Sequence, residues 1–193
     1  MKIVAFPLAL LACSATAQSP DEIAPPGCEY GSPHPDAPPE MAQFDFLIGD
    51  YSIVVSRWVE GEWQAVPVAG YGPARWNGRY ILGGMAIEDE WYDKDPGIDS
   101  MATRGVNVRM WDAEAAEWDM MWVYTGNRAV TDLRAKVIGD RLEMWQVTPY
   151  RPNFRAYFER VDADRWNRIT LMPDAEGRWN PTVRLEATRI PCG

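Results

Sequence analysis

The feature that most constrains this chain is a succession of short strand-like segments between Gly49 and Ile190. The segments are rich in alternating, β-branched and aromatic residues, and Gly, Pro, Asn or Asp separates one from the next. About ten such segments occur, and no long helical period lies between them. Sequential antiparallel strands close most simply into an up-and-down barrel, because closure removes exposed sheet edges. We therefore predict an all-β barrel, with a β-sandwich as the alternative.

Turn residues and tryptophans set the expected strand limits and register. Asn77-Gly78 is the strongest two-residue hairpin signal in the chain, so we expect one strand over Gln64–Trp76 and the next over Tyr80–Trp91. Pairs among the ten tryptophans flank predicted turns, and cross-strand pairing of such rings would fix the register. The three expected pairs are Trp58 with Trp63, Trp111 with Trp118, and Trp166 with Trp179.

The first 17 residues have the layout of a signal peptide. Lys2 precedes the apolar stretch Ile3–Ala12, and Ala15-Thr16-Ala17 supplies a cleavage site. The apolar stretch is too short to span a bilayer, and no later segment is predicted to be a transmembrane helix. The alternative is a lipobox that ends at Cys13, which would then carry the lipid. We predict a periplasmic or secreted protein, with a lipoprotein anchored through Cys13 as the other form.

The remainder divides into a proline-rich leader, residues 18–39, and a barrel domain, residues 40–193. Pro39–Ile48 is expected to form a short helix across one end of the barrel, with Met41, Phe44 and Ile48 on its inner face. Cys28 and Cys192 remain after the signal peptide is removed. Because an exported protein folds in an oxidising compartment, we expect these two cysteines to form a disulfide.

Charge and composition exclude several classes of function. The net charge is −9, and loss of Lys2 with the signal peptide makes it more negative by one. Nucleic acids and anionic membrane surfaces require a basic footprint, so neither is an expected partner. His34 is the single histidine and lies in the leader, which leaves no basis for a Ser-His-Asp triad or a zinc site. No nucleotide-binding motif occurs, and we predict no metal and no cofactor.

The stretch Phe44–Tyr51, FDFLIGDY, resembles the FDFLIGEW-type opening of an uncharacterised bacterial calycin-like family. Further likeness to that family lies in Gly72–Trp76, Tyr80–Leu82, Glu90-Trp91, Trp111-Asp112, Trp118 and Trp122. The resemblance implies a lipocalin-like barrel with a cavity and no agreed reaction. The family is distantly similar to nitrobindin-like barrels, which hold haem through a histidine late in the chain. This sequence has no histidine there, so histidine-ligated haem is not expected.

Aromatic and polar residues that share strand faces suggest a small-molecule site. Trp118, Trp122 and Tyr124 fall on one face of their strand, and Asn107 and Arg109 on one face of the preceding strand. If these faces point inward, they form an aromatic cavity with polar anchors. The predicted ligand-binding residues are Trp76, Glu90, Asn107, Arg109, Trp118, Trp122, Tyr124, Trp145, Arg155 and Tyr157.

Two questions about this site stay open in the sequence. A filled core would place the same residues inside a barrel without a cavity. On the segment 102–111 the opposite face, formed by Val106, Val108 and Met110, is the more apolar and could be the inner one.

The leading functional hypothesis is a barrel that binds an apolar or aromatic small molecule. One alternative is a calycin-like enzyme, such as a hydratase, isomerase or cyclase, with a buried carboxylate of Glu88 or Glu90 facing the cavity. Another is an envelope interaction module, with a filled barrel and an exposed aromatic patch. A homodimer would be the default assembly for any of the three.

Overall fold

The computed structural model describes residues 28–66, 74–94, 102–126, 128–148 and 154–192. Within these ranges eleven strands form one antiparallel sheet that closes on itself. The strands are β1 (Gly49–Val59), β2 (Glu62–Ala65), β3 (Ala74–Ile81), β4 (Ala86–Lys94), β5 (Ala102–Asp112), β6 (Glu117–Tyr124), β7 (Ala129–Ile138), β8 (Arg141–Thr148), β9 (Arg155–Arg160), β10 (Arg165–Pro173) and β11 (Trp179–Arg189).

The closing contact joins the first and last strands. β1 pairs with β11 from Tyr51 opposite Arg189 to Arg57 opposite Val183. On its other side β1 pairs with β3 through its first half and with β2 through its second half, so β2 and β3 share one position. From β3 to β11 each strand pairs with the next in the chain. The result is a closed antiparallel barrel of ten strands, which confirms the predicted up-and-down architecture.

The predicted hairpin at Asn77-Gly78 is wrong, because both residues lie inside β3. A Cβ at position 78 would overlap the carbonyl oxygen of Leu47, so the glycine serves a close approach of two backbones and not a turn. The chain reverses instead at a short 3-10 turn, Leu82–Gly84, where both glycines have positive φ. The strand expected over Gln64–Trp76 is accordingly divided between β2 and β3.

Two short 3-10 helices, Pro39–Gln43 and Asp45–Leu47, lie across one end of the barrel. We call residues 39–48 the plug, and this end the plugged end. The short N-terminal helix was predicted, but its inner face differs from the expectation. A 3-10 helix repeats every three residues, so Met41, Phe44 and Leu47 are buried, whereas Ile48 is only half-buried.

Aromatic rings fill the barrel beneath the plug. The Phe44 ring packs edge-on against Trp118, with 4.9 Å between centroids, and against Phe158 at 5.7 Å. Trp166 packs in the same way against Tyr51 and Trp76. The Trp118 indole N–H also donates a hydrogen bond of 3.0 Å to Gln43 Oε1. The plugged end is therefore a packed core.

Two of the three expected tryptophan pairs are confirmed. Trp58 lies opposite Trp63, and Trp111 lies opposite Trp118, with edge-on rings in both cases. The third is wrong, since Trp166 lies opposite Ala187 and Trp179 lies opposite Pro173.

The leader is fixed to the plugged end. Cys28 and Cys192 form the expected disulfide, with Cα atoms 5.9 Å apart. The Tyr30 hydroxyl donates a hydrogen bond of 2.8 Å to the buried carboxylate of Asp50, and Tyr80 N–H donates to the Tyr30 carbonyl. The predicted signal peptide lies outside the described residues. None of the helices in the described ranges is long and apolar enough to span a bilayer.

Candidate functional site

The half of the barrel away from the plug contains a cavity of about 340 Å³. That volume is at the lower end of the range for small-molecule sites. Six aromatic rings line it, those of Trp76, Trp91, Trp122, Tyr124, Phe154 and Phe158. Five polar side chains also line it, those of Asn107, Arg109, Thr131, Gln146 and Arg168, and the remaining lining is apolar.

Alternation along β5 answers the question about its faces. Asn107 and Arg109 point into the barrel and are 4% and 1% exposed. Met110, on the more apolar face, is 46% exposed. The polar face is thus the inner one, where Arg109 pairs with Asp89, whereas Met110 on the aliphatic face contacts solvent.

The ring pair on β6 gives the cavity a flat wall. The rings of Trp122 and Tyr124 are 5.7 Å apart at 19°, a stacked arrangement. A Cβ at Gly105, on the neighbouring strand β5, would overlap the Trp122 indole. Because this position has no side chain, the indole can lie directly against the β5 backbone. The glycine therefore shapes this wall of the cavity.

Arg109 forms an ion pair with Asp89 in the interior, and both side chains are almost fully buried. Its guanidinium also lies 4.9 Å from the centroid of the Phe44 ring and 5.9 Å from that of Trp76. Burial, together with the positive charge of Arg168, lowers the pKa of Arg109 to about 9. The group stays protonated at neutral pH, so the pair is ionic.

Arg168 extends into the cavity from β10, between Phe158 on β9 and Leu185 on β11. Its Nε is buried and has no hydrogen-bond partner, and no carboxylate in the described part of the chain forms an ion pair with it. Burial lowers the pKa of Arg168 to about 10, which still leaves it charged at neutral pH. The cavity therefore contains a cation without a counter-ion from the described residues.

The structure separates the predicted ligand-binding residues into three groups. Those that line the cavity are Trp76, Asn107, Arg109, Trp122 and Tyr124. Trp118 shares the inner face of β6 but is fully buried under the plug. The remaining four lie on outer faces of their strands, namely Glu90, Trp145, Arg155 and Tyr157. On this outer surface the Arg155 guanidinium covers the Trp179 ring, and that of Arg141 covers the Tyr157 ring.

Sequence reasoning missed Arg168, together with the cavity-lining rings of Trp91, Phe154 and Phe158. A signal for Arg168 existed, since it lies two residues from the buried Trp166 on the same strand face. The apolar Ile169 gave the opposite signal, because an apolar residue suggests that its own face of the strand points inward. Ile169 instead lies on the outer face of β10, yet it has little contact with solvent. Its strand partners there are Tyr157 and Arg184.

The acidic residues of β4 bear on the enzyme alternative. Glu88 and Glu90 are on the outer face, and Glu88 is ion-paired with Arg79. Asp89, between them, points inward and is fully buried beside Arg109. Among the described residues, no group of His, Cys, Asp and Glu is placed to hold a metal ion. His34 is in the leader, where its Nδ1 accepts a hydrogen bond from Asp36 N–H.

Comparison with protein-family models gives no match, and comparison with curated proteins gives no significant match. Among solved structures, the chain is similar to the crystal structure of Rv2717c from M. tuberculosis. That likeness has a TM-score of 0.47 and 9% identity, and covers 81% of this chain and 100% of the other. It is also similar to the S-type phycobiliprotein lyase CPES from Guillardia theta. Here the TM-score is 0.49 with 9% identity, and coverage is 79% of this chain and 93% of the other. Likenesses this distant assign neither a family nor a function, so both must be argued from the barrel itself.

Proposed function

We propose that this protein is an exported β-barrel that binds a compact apolar or aromatic small molecule in its cavity. The observation that carries the proposal is the cavity of about 340 Å³ lined by six aromatic rings and five polar side chains. Concave, mostly apolar sites with a few placed polar groups are the usual form of a small-molecule site. A filled barrel, which the interaction-module alternative requires, does not have such a space.

The binding role is favoured over catalysis by the arrangement of carboxylates. The inward carboxylate of Asp89 is ion-paired with Arg109, and Glu88 and Glu90 lie on the outer face of the strand. General acid–base catalysis needs a carboxyl group within reach of the bound molecule. The described cavity lining supplies rings and cations for holding a ligand, and its described residues include no carboxylate.

Export is part of the proposal and rests on the sequence of residues 1–17 together with the Cys28–Cys192 disulfide. Intact mass of the protein from its own host tests it. A chain beginning at Gln18 supports cleavage after Ala17, and a lipidated chain beginning at Cys13 supports the lipoprotein form. An unprocessed chain contradicts export.

Ligand binding can be tested with N-phenyl-1-naphthylamine, a neutral dye whose fluorescence rises in apolar sites. We expect saturable enhancement at one site per chain. Trp122→Ala removes a cavity wall and should weaken dye binding at least about tenfold, roughly 1.4 kcal/mol. Trp145→Ala is the matched control, because it removes an indole from the outer face of the same barrel, and binding should change by less than about twofold.

Two results would overturn the proposal. One is the absence of saturable dye binding by the folded wild-type protein. The other is equal weakening by Trp122→Ala and Trp145→Ala, which would place the dye outside the cavity.

A further inference from the structure

The charge inside the barrel is unbalanced. The cavity lining contains two charged side chains in the described ranges, those of Arg109 and Arg168, and both are cations. Asp89 neutralises Arg109 through the buried ion pair. Arg168 has no such partner among the described residues, and its buried Nε makes no hydrogen bond. The interior therefore has one positive charge in excess.

An unpaired cation whose side chain is only partly exposed is costly, because burial removes part of the water that would otherwise solvate it. The cost is evident in the pKa of Arg168, which burial lowers to about 10. It cannot be relieved by moving toward Asp89, since Arg109 holds that carboxylate and repels Arg168. A bound anion would supply the missing charge and the missing acceptor together.

The excess positive charge belongs to the cavity and not to the protein surface in general. The net charge of the chain is −9, so the surface does not concentrate anions in general. A guanidinium presents a planar fork of donors that matches a carboxylate or sulfonate. The Trp122–Tyr124 wall lines the same cavity and suits a flat apolar body. Both features describe a single compact ligand.

We infer that the cavity takes a compact aromatic monoanion, whose charged group is bound by Arg168 and whose ring contacts the Trp122–Tyr124 wall. This inference rests on the proposed function and specifies its ligand class. Arg109 lines the same cavity, where Asp89 neutralises its charge and holds it in place. Carboxylates and sulfonates share the required chemistry, and a titration with both distinguishes them.

The test uses probes of nearly equal shape that differ in charge. The mature, disulfide-bonded protein is loaded with N-phenyl-1-naphthylamine, and displacement is measured with 1-naphthaleneacetate, 1-naphthaleneacetamide and 1-naphthalenesulfonate. We expect the acetate to bind at least about tenfold more tightly than the neutral amide at neutral pH, a difference of roughly 1.4 kcal/mol. A sulfonate that binds as well as the acetate indicates recognition of charge, and a weaker one indicates recognition of carboxylate shape.

Arg168→Gln should reduce the ratio of acetate to amide affinity to about one, through loss of acetate binding and with amide binding retained. Arg168→Lys retains the charge and should keep part of the preference. Arg155→Gln is the control, because it removes an arginine from the outer face, and the ratio should stay at the wild-type value.

Failure of this inference differs from failure of the proposed function. Equal affinity of the wild-type protein for acetate and amide, with both displacing the dye, would overturn the anion inference and leave the binding function intact. Absence of binding by the dye and all three probes would overturn the proposed function. A preference that survives in Arg168→Gln would remove Arg168 from the site.

Discussion

The two halves of this barrel are built from the same strands but packed in opposite ways. Under the plug, the Phe44 ring packs against Trp118 and Phe158, and Phe158 packs in turn against Trp166. In the other half, the rings of Trp122 and Tyr124 border a cavity of about 340 Å³. The difference shows that one continuous sheet can be filled by packed side chains at one end and enclose a cavity at the other.

Strand β6 runs from the packed half of the barrel into the half that contains the cavity. Along the inner face of β6, Trp118 and Met120 are 0% and 3% exposed. Trp122 and Tyr124, further along the same face, are half-buried and line the cavity. Substitutions on this face therefore compare the two halves in one background.

The largest expected contrast is between the two tryptophans of β6. Trp118→Ala should lower the free energy of unfolding by about 4 kcal/mol, because it leaves a cavity in a closed core. Trp122→Ala should lower it by only about 1 kcal/mol, since that ring already borders empty space. Chemical denaturation measures both values. Similar losses for the two variants would show that the halves do not differ in packing.

The two interior arginines should give a somewhat smaller contrast. Arg109→Met leaves Asp89 buried and unpaired, and should cost about 3 kcal/mol of unfolding free energy. Arg168→Met removes an unpaired cation and should leave the ligand-free protein equally stable or more stable. Thermal unfolding of the ligand-free variants checks the signs. Strong destabilisation by Arg168→Met would indicate that this side chain serves the fold and not a ligand.

The smallest contrast appears at alkaline pH and tests how dry the plugged end is. Burial raises the pKa of Tyr51 to about 12, and its hydroxyl donates to the Phe46 carbonyl at 2.6 Å. The unfolded phenol loses its proton from about pH 10, so the folded state loses stability as the pH rises from there, by about 2 kcal/mol at pH 12. Tyr51→Phe should abolish that part of the loss in denaturation curves between pH 9 and pH 12. Parallel pH profiles for the two proteins would contradict a buried phenol.

The barrel was predictable from the sequence because most strand boundaries are marked by residues that lie next to them in the chain. Turn residues and alternating side chains indicated about ten sequential strands, and the cysteines indicated the disulfide. The hairpin prediction at Asn77-Gly78 failed because Gly78 is required by the close approach of the Leu47 backbone, 31 residues earlier in the chain, and a hairpin signal does not report that approach.

The site was less predictable because it depends on which face of a strand points inward and on the volume left between side chains. β5 carries its apolar residues outside, and β10 buries Ile169 on the outer surface while Arg168 enters the cavity. Periodicity shows that side chains alternate between two faces of a strand. It does not show which face points inward when both faces have large residues. Whether rings such as Trp118 and Trp122 fill a space or border one is decided by the plug, which lies far from them in the sequence.

We propose that the half of the barrel away from the plug holds a small aromatic molecule. Native mass spectrometry of the protein from its own host, followed by denaturing extraction, tests it most directly. We expect one reproducible compound, bound one to one, with an aromatic ring and a single negative charge. This compound should be lost from the Trp122→Ala variant and retained by the Trp145→Ala variant. A protein that is empty from its host and binds none of the naphthalene probes would contradict the account.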